Sequence, residues 1–205
     1  MKISIPLLAS LWVASIISGM GILTVYEYGA GRDTGSPASW PVRSEIPLAA
    51  DEPTLVLFAH PECPCTQASI GELAVLMTRC PAEVKAHVVF LHPTGTGTDW
   101  THTDLWRSAE AIPGVAVMAD EAGGEAARFH ATTSGQVVLY GPDGRLMFHG
   151  GITGSRGHYG DNEGVATIVA LLRHEPAVAA NTPVFGCSLL DPAPAAITKG
   201  ATCVR

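Results

Sequence analysis

The chain has 205 residues, of which 47% are hydrophobic and 15% charged, and its formal net charge is −7. That length suits one ordinary domain with an appendage. The acidic balance gives a nucleic-acid partner no electrostatic support, and the apolar excess directs attention to a membrane segment.

That segment is at the front. Residues 3–26, ISIPLLASLWVASIISGMGILTVY, carry no charge, and about 20 apolar residues cross a bilayer. Lys2 favours an N-terminus kept in the cytoplasm. The long core runs into Tyr26, Glu27 and Tyr28 with no A-x-A cleavage pattern, which reads as an uncleaved anchor rather than a signal. Either way, the rest of the chain is exported and faces the periplasm or exterior. Residues 29–52 are rich in Gly, Pro, Ser and Ala and read as a spacer. A folded domain is expected over 53–178, and a Pro/Ala-rich tail over 179–205 holds Cys187 and Cys203.

In the domain, TLVLFA (54–59) is a continuous apolar run, as a buried parallel strand requires. From Pro64, the apolar positions Ala68, Ile70, Leu73, Ala74, Leu76 and Met77 give a helical stripe ending near Cys80. VKAHVVFL (84–91) is a second strand. Thr101 to Asp104 has capping-box spacing, which predicts a helix to about Ala111. VAVMAD (115–120) is a strand and GEAARFHA (124–131) a short helix. QVVLY (136–140) and RLMFHG (145–150) flank an Asp-Gly turn. NEGVATIVALLRHE (162–175) is an amphipathic helix. Alternating strands and helices predict an α/β fold: a mostly parallel sheet with flanking helices, made mixed by the hairpin.

The chemistry is concentrated in FAHPECPCTQAS, residues 58–69. With Pro64 at the first helical position, Cys63 is the N-cap and Cys65 lies in the first turn. Unpaired N–H groups and the helix dipole there favour an anion, and a thiolate is the attacking form in disulfide exchange. Residues i and i+2 of a helix point about 200° apart. A Cys63–Cys65 bond therefore relies on the non-helical geometry of the cap; otherwise the two sulfurs share a metal. His60 can hold Cys63 as thiolate or complete a Cys63, Cys65, His60 site for Cu(I) or Zn. Glu62 is a solvated carboxylate that would raise the thiol pKa by like-charge repulsion if close. Five cysteines in an exported chain permit disulfides and leave one thiol over. Cys80 reads as a buried structural thiol. Cys187 either folds back toward the dithiol as a resolving partner or pairs with Cys203. His149 and His158 flank a glycine-rich loop without phosphate-binding spacing.

A strand ending in Phe-Ala, a short linker, and Pro-Cys opening a helix resembles the thioredoxin-like superfamily. DEAGGEAARFHATTSGQVVLYGPDGRLMFHGG (120–151) is similar to its redoxin and cytochrome-maturation branch. The motifs HPECPCT, TDLWRSA, TSGQV, GDNEG and TPVFGC resemble small membrane-anchored RedB-like proteins. The resemblance implies a thioredoxin-like mixed central sheet with flanking helices, preceded by one transmembrane helix. It implies thiol–disulfide oxidoreductase activity on protein thiols and disulfides with no cofactor, the nucleophile being Cys63, nearer the exposed end of the turn, with Cys65 resolving, or else Cys65 itself. The family motif has two residues between its cysteines, so a gapless match puts Glu62 on the first of them and Cys65 on the second. The family's cis-proline facing the dithiol corresponds here to Gly135. A likeness to thioredoxin-fold proteins that metallate oxidases implies the alternative of a copper-binding module.

Overall fold

The computed structural model describes residues 4–177 and 179–189. Cys203 and the Cys187–Cys203 pairing expected for the tail fall outside them. Helix α1 spans Ile5–Glu27, is long and apolar enough to cross a membrane, and buries no residue against the domain.

Strand β1 (Thr54–Ala59) is buried at every position because both faces of the sheet are covered. It pairs in parallel with β2 (Lys85–His92), which pairs in parallel with β3 (Val115–Glu121). On its other side β1 meets β4 (Gln136–Tyr140) antiparallel, and β4 meets β5 (Leu146–Gly151) across the expected hairpin. The sheet order is β3-β2-β1-β4-β5. Leu55, Leu57 and Ala59 face the larger core, with α2 (Pro64–Arg79) and α5 (Glu163–Leu172). Val56 and Phe58 face the second core, with α4 (Gly124–Arg128). Helix α3 (Asp104–Glu110) contributes Ala109 to the first core.

Three boundaries differ from the sequence expectation, each for a local reason. The helix at 104 is capped by Thr103, not Thr101, and the Thr103 hydroxyl donates to the Pro61 carbonyl at 3.2 Å instead of capping. Helices α4 and α5 stop short because His130 and His174 take positive φ (57° and 58°) just beyond their ends. There the Ala131 N–H returns to the Ala126 carbonyl (2.7 Å) and the Glu175 N–H to the Ala170 carbonyl (2.8 Å), the left-handed helix ending.

The stretch read as a spacer is packed onto the sheet. Trp40 stands edge-on to Phe129 and Tyr140 at 5.0 and 5.2 Å. Ile46 is 2% exposed within the second core. Ser39 bridges Arg145, and the Tyr140 hydroxyl donates to the Pro37 carbonyl at 2.7 Å. The Ser44 hydroxyl and the Glu45 N–H both donate to the buried Glu125 carboxylate. The physical reason is area: the five-residue α4 is too short to cover that face alone, so residues 31–48 complete it.

Ile46→Ala is expected to destabilise the detergent-solubilised protein by about 2–4 kcal/mol. Val42→Ala, at a fully exposed position, should leave the denaturant midpoint unchanged. Equal midpoints for the two variants would return residues 29–52 to the status of a spacer.

Candidate redox site

The site lies where β1 runs out into α2, at the carboxyl end of the parallel strands. That is where open α/β sheets place their ligand crevices. Pro64 opens α2 and Cys63 is its N-cap. The Cys63 N–H donates to the His60 carbonyl (3.1 Å), and the Thr66 N–H to the Cys63 carbonyl (3.0 Å), so the turn holding the cysteines is closed on both sides. Cys63 is 2% exposed and Cys65 7%.

A second segment supports this turn from across the sheet. Gly135, φ +90°, donates its N–H to the Phe58 carbonyl at 2.8 Å. A Cβ there would stand 2.8 Å from the Ser69 hydroxyl oxygen, so both conformation and space favour glycine. No cis peptide bond occurs among the described residues. The neighbouring Ser134 hydroxyl accepts the His60 N–H at 2.8 Å and lies 2.6 Å from the Thr66 hydroxyl. With its oxygen already accepting from His60, Ser134 donates to Thr66 in the arrangement that satisfies every partner. The Thr66 proton is then free to point at Cys63.

The sulfur of Cys187 stands 3.0 Å from that of Cys63. Either thiol can donate to the other, but once Cys63 is a thiolate only Cys187 can. As a thiol Cys63 makes no side-chain capping bond. Burial alone would raise its pKa, but hydrogen bonds from the side chain and backbone of Cys187 and of Thr66 outweigh it, and the pKa falls below the ordinary thiol value. Cys65 moves the other way: burial and the charge of Cys63 push it up, and Arg156 pulls it only part of the way back. Cys187 is pushed up to about 12 by burial, then by the hydrogen bond and charge of Cys63.

Arg156 is the cation of the site. Its guanidinium donates to the carbonyls of Tyr26 (3.0 Å), Gly29 (3.1 Å) and Gly186 (2.6 Å) and lies 5.0 Å over the Tyr26 ring. Sequence reasoning missed Arg156, Ser134 and Thr66. Only Thr66, in the first turn of α2, carried a local signal.

The other expected residues are placed as follows. His60 Nδ1 accepts the exposed Glu62's N–H at 3.2 Å, and its ring meets Trp100 edge-on at 5.4 Å. Among the described residues no group of three or more His, Cys, Asp or Glu side chains is arranged to hold a metal ion, so Cys63, Cys65 and His60 are not assembled into the copper site of the alternative reading. Cys80 is fully buried in the larger core, where burial raises its pKa. His158 pairs with Glu27 at 3.1 Å, and His149 lies 3.8 Å from Asp33, beyond hydrogen-bond distance.

No known protein-family description matches the chain, and no curated protein matches it significantly. Solved structures do. An uncharacterised conserved protein from Geobacillus kaustophilus is similar at TM-score 0.57 and 16% identity, over 80% of this chain and 94% of that one. A hypothetical protein from Sinorhizobium meliloti is similar at TM-score 0.57 and 17% identity, over 78% and 96%. The exposed lipoprotein thioredoxin of Streptococcus pneumoniae is similar at TM-score 0.42 and 12% identity, over 61% and 86%. The sheet order β3-β2-β1-β4-β5, parallel on one side of β1 and antiparallel on the other, with Cys63 at the junction of β1 and α2, is that of a thioredoxin-like fold. Cys63 stands at the strand-to-helix junction expected from the sequence, and Gly135 bonds to the end of the same strand at Phe58.

Because the Cys63 pKa is lowered, its thiolate is populated at a pH where an ordinary thiol is still protonated. The pH profile of Cys63 alkylation, read by peptide mass spectrometry, should have its midpoint below those of Cys65 and Cys187. Thr66→Val and Ser134→Ala remove donors and should raise that midpoint by on the order of one unit, the worth of one such hydrogen bond. An unmoved midpoint in both variants would remove the Ser134–Thr66 chain from the account.

Proposed function

We propose that this protein is a membrane-anchored thiol–disulfide oxidoreductase whose domain faces the periplasm or exterior, and that Cys63 is its attacking thiol. The observation that carries this reading is the environment of one sulfur. Cys63 is a buried N-cap at the junction of β1 and α2, and the donors around it lower its pKa while the neighbouring Cys65 and Cys187 are raised. Thiolate character is what exchange demands of the attacking group. Helix α1 supports the anchored placement by length and composition, and HPECPCT and TPVFGC support a place beside the RedB-like proteins.

The reaction begins when the Cys63 thiolate attacks a protein disulfide and forms a mixed disulfide. A neighbouring cysteine then breaks that bond. Two stand at hand, Cys65 in the same turn and Cys187 from the C-terminal segment. Protein substrates suit the site, because the Thr132 carbonyl and Ser134 N–H that pair with residues 187–189 can pair with an extended segment of another chain once those residues are displaced.

With dithiothreitol as electron donor, the detergent-solubilised protein should reduce a protein disulfide such as that of insulin. Cys63→Ser should lower the rate by on the order of 10³-fold or more, as loss of a nucleophile does. Cys80→Ala, in the core and away from the site, should leave it unchanged. Full activity in Cys63→Ser would overturn the assignment.

A further inference from the structure

The proposed nucleophile is covered. Cys63 is 2% exposed and the Cys187 sulfur stands 3.0 Å away. A disulfide is attacked along its S–S axis, so a substrate needs an open approach to Cys63, and what lies over that sulfur has to move first. The covering piece is a short extended segment. The Ser134 N–H donates to the Cys187 carbonyl at 2.8 Å, and the Leu189 N–H to the Thr132 carbonyl at 2.9 Å. These bonds flank an antiparallel bridge between Thr133 and Ser188. Arg156 adds its bond to the Gly186 carbonyl. Among the described residues the segment joins the sheet at an isolated bridge rather than along a continuous ladder, the condition under which local opening costs little.

The seat is nonetheless shaped for this segment. A Cβ on Gly186 would stand 1.8 Å from the Ser134 carbonyl oxygen, so only glycine permits the approach. Leu189 is buried in the second core and fixes the far end. Strand pairing sets the register, and a slip of one residue would turn Cys187 to the opposite face.

We propose that Cys187 is the resolving thiol for Cys63, delivered by a hinged strand that covers the nucleophile at rest. This rests on the reading of Cys63 as the attacking thiol. With the strand lifted, the Cys63 thiolate attacks one sulfur of a substrate protein disulfide. The Cys63–substrate bond forms, the substrate S–S bond breaks, and the other substrate sulfur leaves as a thiolate. The strand reseats and Cys187 gives up its proton. Its sulfur attacks Cys63, so the Cys63–Cys187 bond forms and the first substrate sulfur leaves. The two substrate thiolates take up one proton from Cys187 and one from water. Two electrons have passed from the protein dithiol to the substrate, and an external dithiol restores the reduced pair by the reverse exchange.

The electrostatics fit this order. Burial keeps Cys187 protonated, and the hydrogen bond and charge of Cys63 add to that while Cys63 is a thiolate. Once Cys63 is bonded to substrate that charge is gone, and Arg156 remains to favour the Cys187 thiolate. Cys65 lies within side-chain hydrogen-bond reach of Cys63, but the two are joined through Pro64 in one turn, and its fixed φ restricts how their sulfurs can meet. Cys187 meets Cys63 from a separate segment, free of that restriction.

The test uses the full chain in detergent, fully reduced, mixed with hydroxyethyl disulfide, quenched in acid with N-ethylmaleimide and mapped without reduction. The Cys63–Cys187 cross-link should dominate in the wild type and should still close in Cys65→Ser. In Cys187→Ser the mixed disulfide on Cys63 should persist at least about tenfold longer, as expected on losing a tethered thiol. Gly186→Ala keeps every thiol but not the seat, and should behave the same way. A wild type that closes Cys63–Cys65, at a rate Cys187→Ser does not change, would overturn this inference and leave the proposed function standing. A protein whose Cys63 forms no mixed disulfide in either the wild type or Cys187→Ser would overturn both.

Discussion

The arrangement of this domain depends on keeping one sulfur anion inside a protein. A buried charge is tolerated only where hydrogen-bond donors replace the water it has lost. At Cys63 those donors come from separate pieces of the chain. Thr66 comes from the first turn of α2 and Cys187 from the C-terminal segment. Ser134, from the turn before β4, orients Thr66. Each is placed by the backbone bonds of its own segment. The antiparallel register of β1 and β4 sets Phe58 opposite Gln136, which brings the Gly135 N–H onto the Phe58 carbonyl and Ser134 within reach of the turn. The C-terminal segment then pairs with the other edge of that same stretch. The chemistry of one atom thus constrains a sheet register, a glycine and a strand that closes late in the chain.

The parts of this site that were legible in the sequence are the local ones. Proline starting a helix just after an apolar strand fixes the N-cap, and with it the placement of Cys63 and Cys65, from about ten residues of sequence. The parts that were not legible are joined across long separations: Thr66 and Ser134 are 68 residues apart, Cys63 and Cys187 124. Nothing in the local pattern around Arg156 distinguishes it from a solvated loop cation, because its three partners are carbonyls from Tyr26, Gly29 and Gly186. Backbone carbonyls have no sequence signature. Cys187 was visible as a candidate, but its two possible partners differ only in how the chain folds back.

The same limit explains the segment before β1. Gly, Pro, Ser and Ala describe a chain with little local preference, and such a chain is a spacer only if nothing offers it a surface. Here the sheet does. The face carrying Val56, Phe58, Val138 and Tyr140 has one short helix over it, and the exposed remainder is hydrophobic enough to hold Trp40 and Ile46. Composition records what a segment can do alone. The sheet decides what it does, and a strand buried on both faces, as β1 is, already implies that something covers the second face.

Three thiols share this site, and their pKa values are pushed in opposite directions. Burial raises the pKa of Cys65 and Cys187, and an ionised Cys63 raises both further, while the hydrogen bonds it receives lower its own. The donors favour Cys63 as the anion, and burial favours Cys65 and Cys187 as thiols. Arg156 does not alter that selection, because it acts on Cys65 and Cys187 rather than on Cys63. Its effect is felt when the first anion disappears into a covalent bond. The hydrogen-bond donors around Cys63 then have no charge to stabilise, while the guanidinium, held in place by three carbonyls, still has one to offer. A fixed cation beside the waiting thiols and neutral donors around the ready one give the site an order of ionisation, which an exchange reaction needs in order to run in sequence.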